Sequence, residues 1–304
     1  MHPYIWQQVD LAVDLSWHPL EDPAEPLGSK EKQWMQHATN PDDRWLLKLS
    51  RPGSGEWWAE CLVHPLACLI GVPSACVLPA ITESGRAAML SRSVLRDGER
   101  LEHGKDILSR ALGSRYDASI GDNNPEYTVS NIFACLNDAV DRSTSPAGLT
   151  AVETMAGYLM LDAWVSATDR HHDNWAVATH TSGSRRLAES YDHGSALGFS
   201  LSQDDVSGFG EVAAVRHWAG KGRSHYYGKP SMAAVAAEAL SLVGIEARQY
   251  WLARLDAATD WRANEVLTCV PEAILSPERR RFILNLLNIN REMIHECLAC
   301  AKCA

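Results

Sequence analysis

Long apolar runs are absent from this sequence. None approaches the roughly 18 residues that cross a bilayer, so no transmembrane helix is expected. The opening stretch, MHPYIWQQVD, has no basic region followed by an apolar block, which speaks against a secretion signal and for the cytosol. Positive charge is scarce. Against 38 Asp and Glu stand 28 Lys and Arg, and a formal charge of -10 disfavours nucleic acid or an anionic membrane as the main partner. Repeats and low-complexity segments are missing too, leaving one large domain or two lobes for the 304 residues. No pair of cysteine knuckles is present. Cys61, Cys68, Cys76, Cys135 and Cys269 stand singly among apolar residues, as small buried hydrophobes do. Cys297, Cys300 and Cys303 are spaced three apart near His295, a spacing that can ligate zinc or an iron–sulfur cluster. Without a second knuckle, a helix end is the expected reading of that tail.

What is present begins with short extended segments, RWLLKLS, SACVLPAIT and AAMLSRSVL, broken by Pro and Gly. Between the first two, Glu56 to Ile70 reads as a helix stopped by Gly71 and Pro73, with Pro65 expected to kink or interrupt it. After about Leu101 the pattern turns helical. Thr150 and Glu153 form a capping box, and Val152, Met155, Ala156, Leu159 and Ala163 mark one buried face of a helix over 151–166. A further helix runs from Ser231 to Val243 with Gly244 as its stop, and a last one starts at Ser276 and Pro277. The pattern predicts an α+β chain: a small β-rich N-lobe over 1–95 and a larger, mostly helical C-lobe over 96–304.

The segment TDRHHDNWAV follows the 151–166 helix and is strongly polar. A loop held by a rigid element is a common place for catalytic groups. Beyond it, WAVATHTSGSRRLAES reads as a hairpin that returns Asp192 of YDHG beside Asn174. Asp169, Asn174 and Asp192 around one point suit phosphoryl transfer: an acid to orient a hydroxyl, and hard oxygen ligands for Mg2+. Such transfer also needs a strand lysine with a helix acid as partner, and Lys48 and Glu60 are placed for that. Gly28, Ser29 and Lys30 in PLGSKEKQW form a candidate phosphate-covering turn with a single glycine. A different enzyme class stays open, a metal-dependent HD-type phosphohydrolase using His172, Asp173 and His103.

Taken in order, GSKEKQW, Lys48, EWWAECLVHPLACLIGVP, LSRSVL, LEHG, SATDRHHDN and SYDHGSALG resemble the HipA-like serine/threonine kinases of bacteria, over roughly residues 25–200. The resemblance implies a protein-kinase-like bilobed fold, ATP and Mg2+ as cofactors, and a Ser/Thr-bearing protein as acceptor. It leaves an antitoxin-like regulator open as a partner. By it Asp169 is the catalytic base, Asn174 and Asp192 hold Mg2+, and Lys48, paired with Glu60, contacts the ATP phosphates. Ser91 to Leu95, Val94 among them, form the hinge that meets adenine, and His171 braces the catalytic loop. Asp173 departs from the family, in which many members carry Lys just before the Asn. The run also resembles the catalytic loop of phosphatidylinositol kinases, so a lipid or small-molecule acceptor stays open, as does a pseudokinase that only binds.

Overall fold

The computed structural model describes residues 6–20, 32–143 and 145–301. In the N-terminal part, strands β1 (Val9–Asp10), β2 (Trp17–Pro19), β3 (Lys32–His37), β4 (Asn40–Leu49), β5 (Val77–Ile81) and β6 (Ala87–Arg92) form one sheet in the order β1-β5-β6-β4-β3-β2. All neighbours are antiparallel except β1 and β5. Side chains alternate across a strand, so Trp45, Leu47 and Leu49 share one face of β4. There they pack with Met35, Ala80, Ala88 and Leu90 into a small core. Lys48 falls on the opposite face, opposite Met89 of β6.

That second face is covered by helix α1 (Glu56–Ile70), whose Cys61 packs on Val77 and Met89. The other side of α1, with Trp58, Leu62, Leu66 and Ile70, belongs to the core of the C-terminal part. Apolar residues all round the helix follow from this sandwiched position. Pro65 does not interrupt it: the helix runs unbroken to its cap at Gly71 (φ 72°). Burial on two sides outweighs the roughly 3 kcal/mol that an interior proline costs.

The C-terminal part opens with β7 (Glu99–His103), which runs directly into α2 (Gly104–Leu112), and continues with α3 (Val129–Cys135) and α4 (Ala151–Val165). The hairpin β8 (Ala176–His180) and β9 (Arg185–Leu187) completes a three-stranded sheet with β7. Then follow α5 (Gln203–Gly208), α6 (Val212–Lys221), α7 (Met232–Leu242), α8 (Ile245–Asp256), α9 (Asp260–Thr268) and α10 (Pro277–Ala301). The α+β expectation holds, a strand-rich part ahead of a mostly helical one.

Helix α4 carries the predicted capping box. The sequence pattern marked a single buried face, but the helix is buried almost all round, because α7, α8, α10 and β9 surround it. Gly157 lets Trp251 lie against it, since a Cβ there would stand 2.3 Å from the indole. Gly244 is not the stop of α7. The chain turns extended at Val243, and Gly244 (ψ 154°) instead caps the start of α8. Ser276 caps α10 as expected: its Oγ accepts from the Arg279 N–H at 3.2 Å and donates to Gln203 Oε1 at 3.1 Å. Cys297 and Cys300 lie on α10, and Cys303 lies outside the described residues.

Candidate active site

Strand β4 and helix α1 bring Lys48 and Glu60 together: Nζ donates to Glu60 Oε1 at 2.8 Å. The same ammonium donates to Asp192 Oδ1 at 3.2 Å, across 144 positions of chain. Lys48 and Glu60 are buried, whereas the Asp192 side chain keeps 35% of its surface exposed. Burial by itself would lower the Lys48 pKa; Asp192 and Glu60 outweigh it and hold the ammonium above its ordinary value. Asp192 sits at φ 61°, in the left-handed region, a conformation that Asp tolerates better than most residues and that is concentrated at functional sites.

The loop after α4 carries Asp169 and Asn174. Asn174 Nδ2 donates to the Asp169 carbonyl at 2.6 Å, which turns its Oδ1 away from that bond. Arg170, between them, is the anchor of this loop. It forms a buried bidentate ion pair with Asp162 of α4 and donates to Asn174 O (2.8 Å) and Ser190 Oγ (2.8 Å). Burial works against the guanidinium charge and Asp162 outweighs it, so Arg170 stays cationic. His193 meets Ser190 Oγ at 2.8 Å, and burial together with Arg170 pushes its pKa well down, which keeps it neutral. The Arg170 carbonyl accepts from Tyr127 OH, which in turn accepts from Trp175 Nε1.

The two histidines serve the loop itself. His171 Nδ1 accepts from the Asp173 N–H at 3.1 Å, and His172 Nδ1 pairs with Tyr116 OH at 2.7 Å. On the far side, the segment after α6 closes on the loop. The His225 N–H donates to Thr168 O, and its Nδ1 stands 4.0 Å from Asp169 Oδ1. Tyr226 lies 5.8 Å from His171, ring to ring. A cavity of about 300 Å³ opens beside Thr168 and Ser195, with Trp218 and Lys221 of α6 on its wall.

Of the residues singled out in the sequence, Lys48, Glu60 and Asp192 are in direct contact, and Asp169 and Asn174 share one loop. Ser91 is buried on β6, and the Val94 carbonyl that follows accepts from Arg186 Nη2 at 2.7 Å. Gly28, Ser29 and Lys30 lie outside the described residues. No role was assigned from the sequence to the Asp162–Arg170 pair, Ser190, Tyr191 or His225. The one signal for Asp162 was a lone acid inside the apolar MAGYLMLDAWV.

No sequence-family model matches this chain, and no curated protein matches it by sequence. Solved structures do. The proinflammatory kinase CtkA of Helicobacter pylori is similar with a TM-score of 0.73 at 10% identity, covering 96% of this chain and 98% of its own. HipA of Shewanella oneidensis, solved in a complex with HipB and its operator DNA, is similar with a TM-score of 0.53 at 13% identity, over 94% of this chain and 73% of its own. The chain therefore has the fold of these two proteins, in agreement with the HipA-like resemblance of its motifs.

Proposed function

We propose that the chain is an ATP- and Mg2+-dependent phosphotransferase acting on a serine or threonine hydroxyl of a protein. The contact of Lys48 with both Glu60 and Asp192 carries this reading. It joins a strand of the first part, a helix between the parts and the segment after the catalytic hairpin at one ammonium. The donor set fits the cofactor. Asp192 offers a partly exposed carboxylate and Asn174 an amide oxygen, hard ligands suited to Mg2+, while Lys48 meets phosphate oxygens. When bound, Mg2+–ATP supplies the transferable phosphoryl group and neutralises its charge. Asp169 orients the acceptor hydroxyl and takes its proton. Arg170 holds Asp169 and Asn174 at the two ends of one anchored loop. The N- and C-lobe boundary near residue 95 is part of the same proposal, as are an adenine-binding hinge at Ser91 to Leu95 and a cytosolic location. An antitoxin-like regulator is a further candidate partner, HipB being present in the complex with the HipA neighbour.

One observation favours the phosphohydrolase instead: His171, His172 and Asp173 present ligand atoms within 4.8 Å of one another. His103 is not in that group, and its Nδ1 faces Tyr191 OH at 3.2 Å. Incubation with γ-labelled ATP and Mg2+ separates the readings. Label on protein, lost in Asp169→Ala and Asp192→Ala, supports the kinase; label only in lipid moves the acceptor to phosphatidylinositol. Nucleotide binding without transfer marks a pseudokinase. Metal-dependent phosphate release abolished by His172→Ala sinks the kinase reading.

A further inference from the structure

Asp173 is a further carboxylate in the loop of Asp169 and Asn174, next to a site that on the reading above must admit a polyphosphate. Its Oδ1 is shielded from solvent and takes no hydrogen bond of good angle. The charge that meets it is the ammonium of Lys105, 3.1 Å away, in the first turn of α2. Lys105 is not there by side-chain reach alone. Strand β7 pairs with β8 up to His103 opposite Ala176, the Gly104 N–H donates to Trp175 O at 3.0 Å, and the Lys105 N–H donates to His172 O at 3.0 Å. Gly104 has to be glycine for this approach, because a Cβ would lie 2.2 Å from the Trp175 ring. From the opposite side Tyr191, the neighbour of Asp192, donates its hydroxyl to the Asp173 carbonyl at 3.0 Å. Asp173 is thus held between the start of α2 and the segment that carries Asp192, and Asn174 follows it directly.

We propose that Lys105 is a positioning residue for phosphoryl transfer: its ammonium neutralises Asp173 and, through it, keeps Asn174 aligned with Asp192. The inference rests on the phosphotransferase reading. The physical content is a charge balance. Without Lys105, the carboxylate one residue from Asn174 keeps only the rings of His172 and His171 beside its Oδ2, at 3.7 and 3.9 Å; it then repels the nucleotide phosphates and frees the loop to shift. Replacing that carboxylate by an amide removes the repulsion even when Lys105 is gone.

The test compares Lys105→Ala, Lys105→Arg, Asp173→Asn and the double variant Lys105→Ala/Asp173→Asn in the full chain. Transfer rate and the Kd for a non-hydrolysable ATP analogue with Mg2+ are measured, together with hydrogen exchange over residues 169–175. Lys105→Ala is expected to lower the transfer rate about tenfold, as the loss of one partly screened counter-charge should. Lys105→Arg keeps the rate, and the double variant recovers most of the loss. Exchange of the loop amides quickens in Lys105→Ala and slows again in the double variant. A wild-type rate in Lys105→Ala, or a loss that Asp173→Asn does not relieve, overturns the proposal. A wild-type chain that transfers no phosphoryl group overturns the underlying reading instead. Analogue affinity and loop exchange then still decide whether Lys105 holds Asp173, and unchanged values in Lys105→Ala reject it.

Discussion

Two buried ion-pair clusters lie near the loop that carries Asp169 and Asn174, and they end differently. The Asp162–Arg170 pair is closed: its side chains are 1% and 3% exposed, and further guanidinium donors are taken by Asn174 O and Ser190 Oγ. The Lys48 cluster starts equally deep at Glu60 but ends on Asp192, a carboxylate still open to solvent. A closed cluster has its lone pairs and protons satisfied from within and serves as a strut. An open one keeps ligand atoms available at the edge of a fixed charge array, as a polyphosphate site requires.

Four variants test that contrast, in order of expected effect. Asp162→Ala leaves the Arg170 charge buried without its partner and should cost about 3–5 kcal/mol of stability, read by chemical denaturation. An unchanged denaturation midpoint would mean that the closed pair is not a strut. Asp192→Asn should do the reverse, lowering phosphoryl transfer by at least about 100-fold while the midpoint hardly moves. Equal damage to stability would erase the distinction between the clusters. Gly104→Ala drives a methyl group into the Trp175 ring and should cost about 2 kcal/mol, seen as a lower Tm. Glu60→Gln removes one of the two counter-charges that Lys48 contacts and should slow transfer about tenfold with the fold intact, measured as kcat at saturating ATP.

Much of this arrangement is readable along the chain. The cap of α4, the start of α10 and the extent of α1 follow from local signals: a capping box, a Ser-Pro start and a glycine in the left-handed region. The residues of the open cluster are legible as well, because phosphate chemistry asks for few side-chain types and the hairpin length returns Asp192 to the loop. The closed pair is not. Asp162 and Arg170 are ordinary charged residues until the helix and loop that carry them are buried together. The interruption expected at Pro65 and the stop expected at Gly244 failed for a related reason. Each was a correct statement of local preference, overridden at Pro65 by packing on two sides and at Gly244 by a helix that starts at once.

By itself the sequence determined which face of β4 carries Lys48, since strand periodicity is a property of the backbone. It also determined the ligand chemistry on offer, since that resides in side-chain types. Only the tertiary structure decided what meets each group. It set Asp192 on Lys48, Arg170 on Asp162 and Lys105 on Asp173, pairings between elements that approach because their apolar faces need cover. Local periodicity names a face; burial, a sum over the whole chain, decides what covers it.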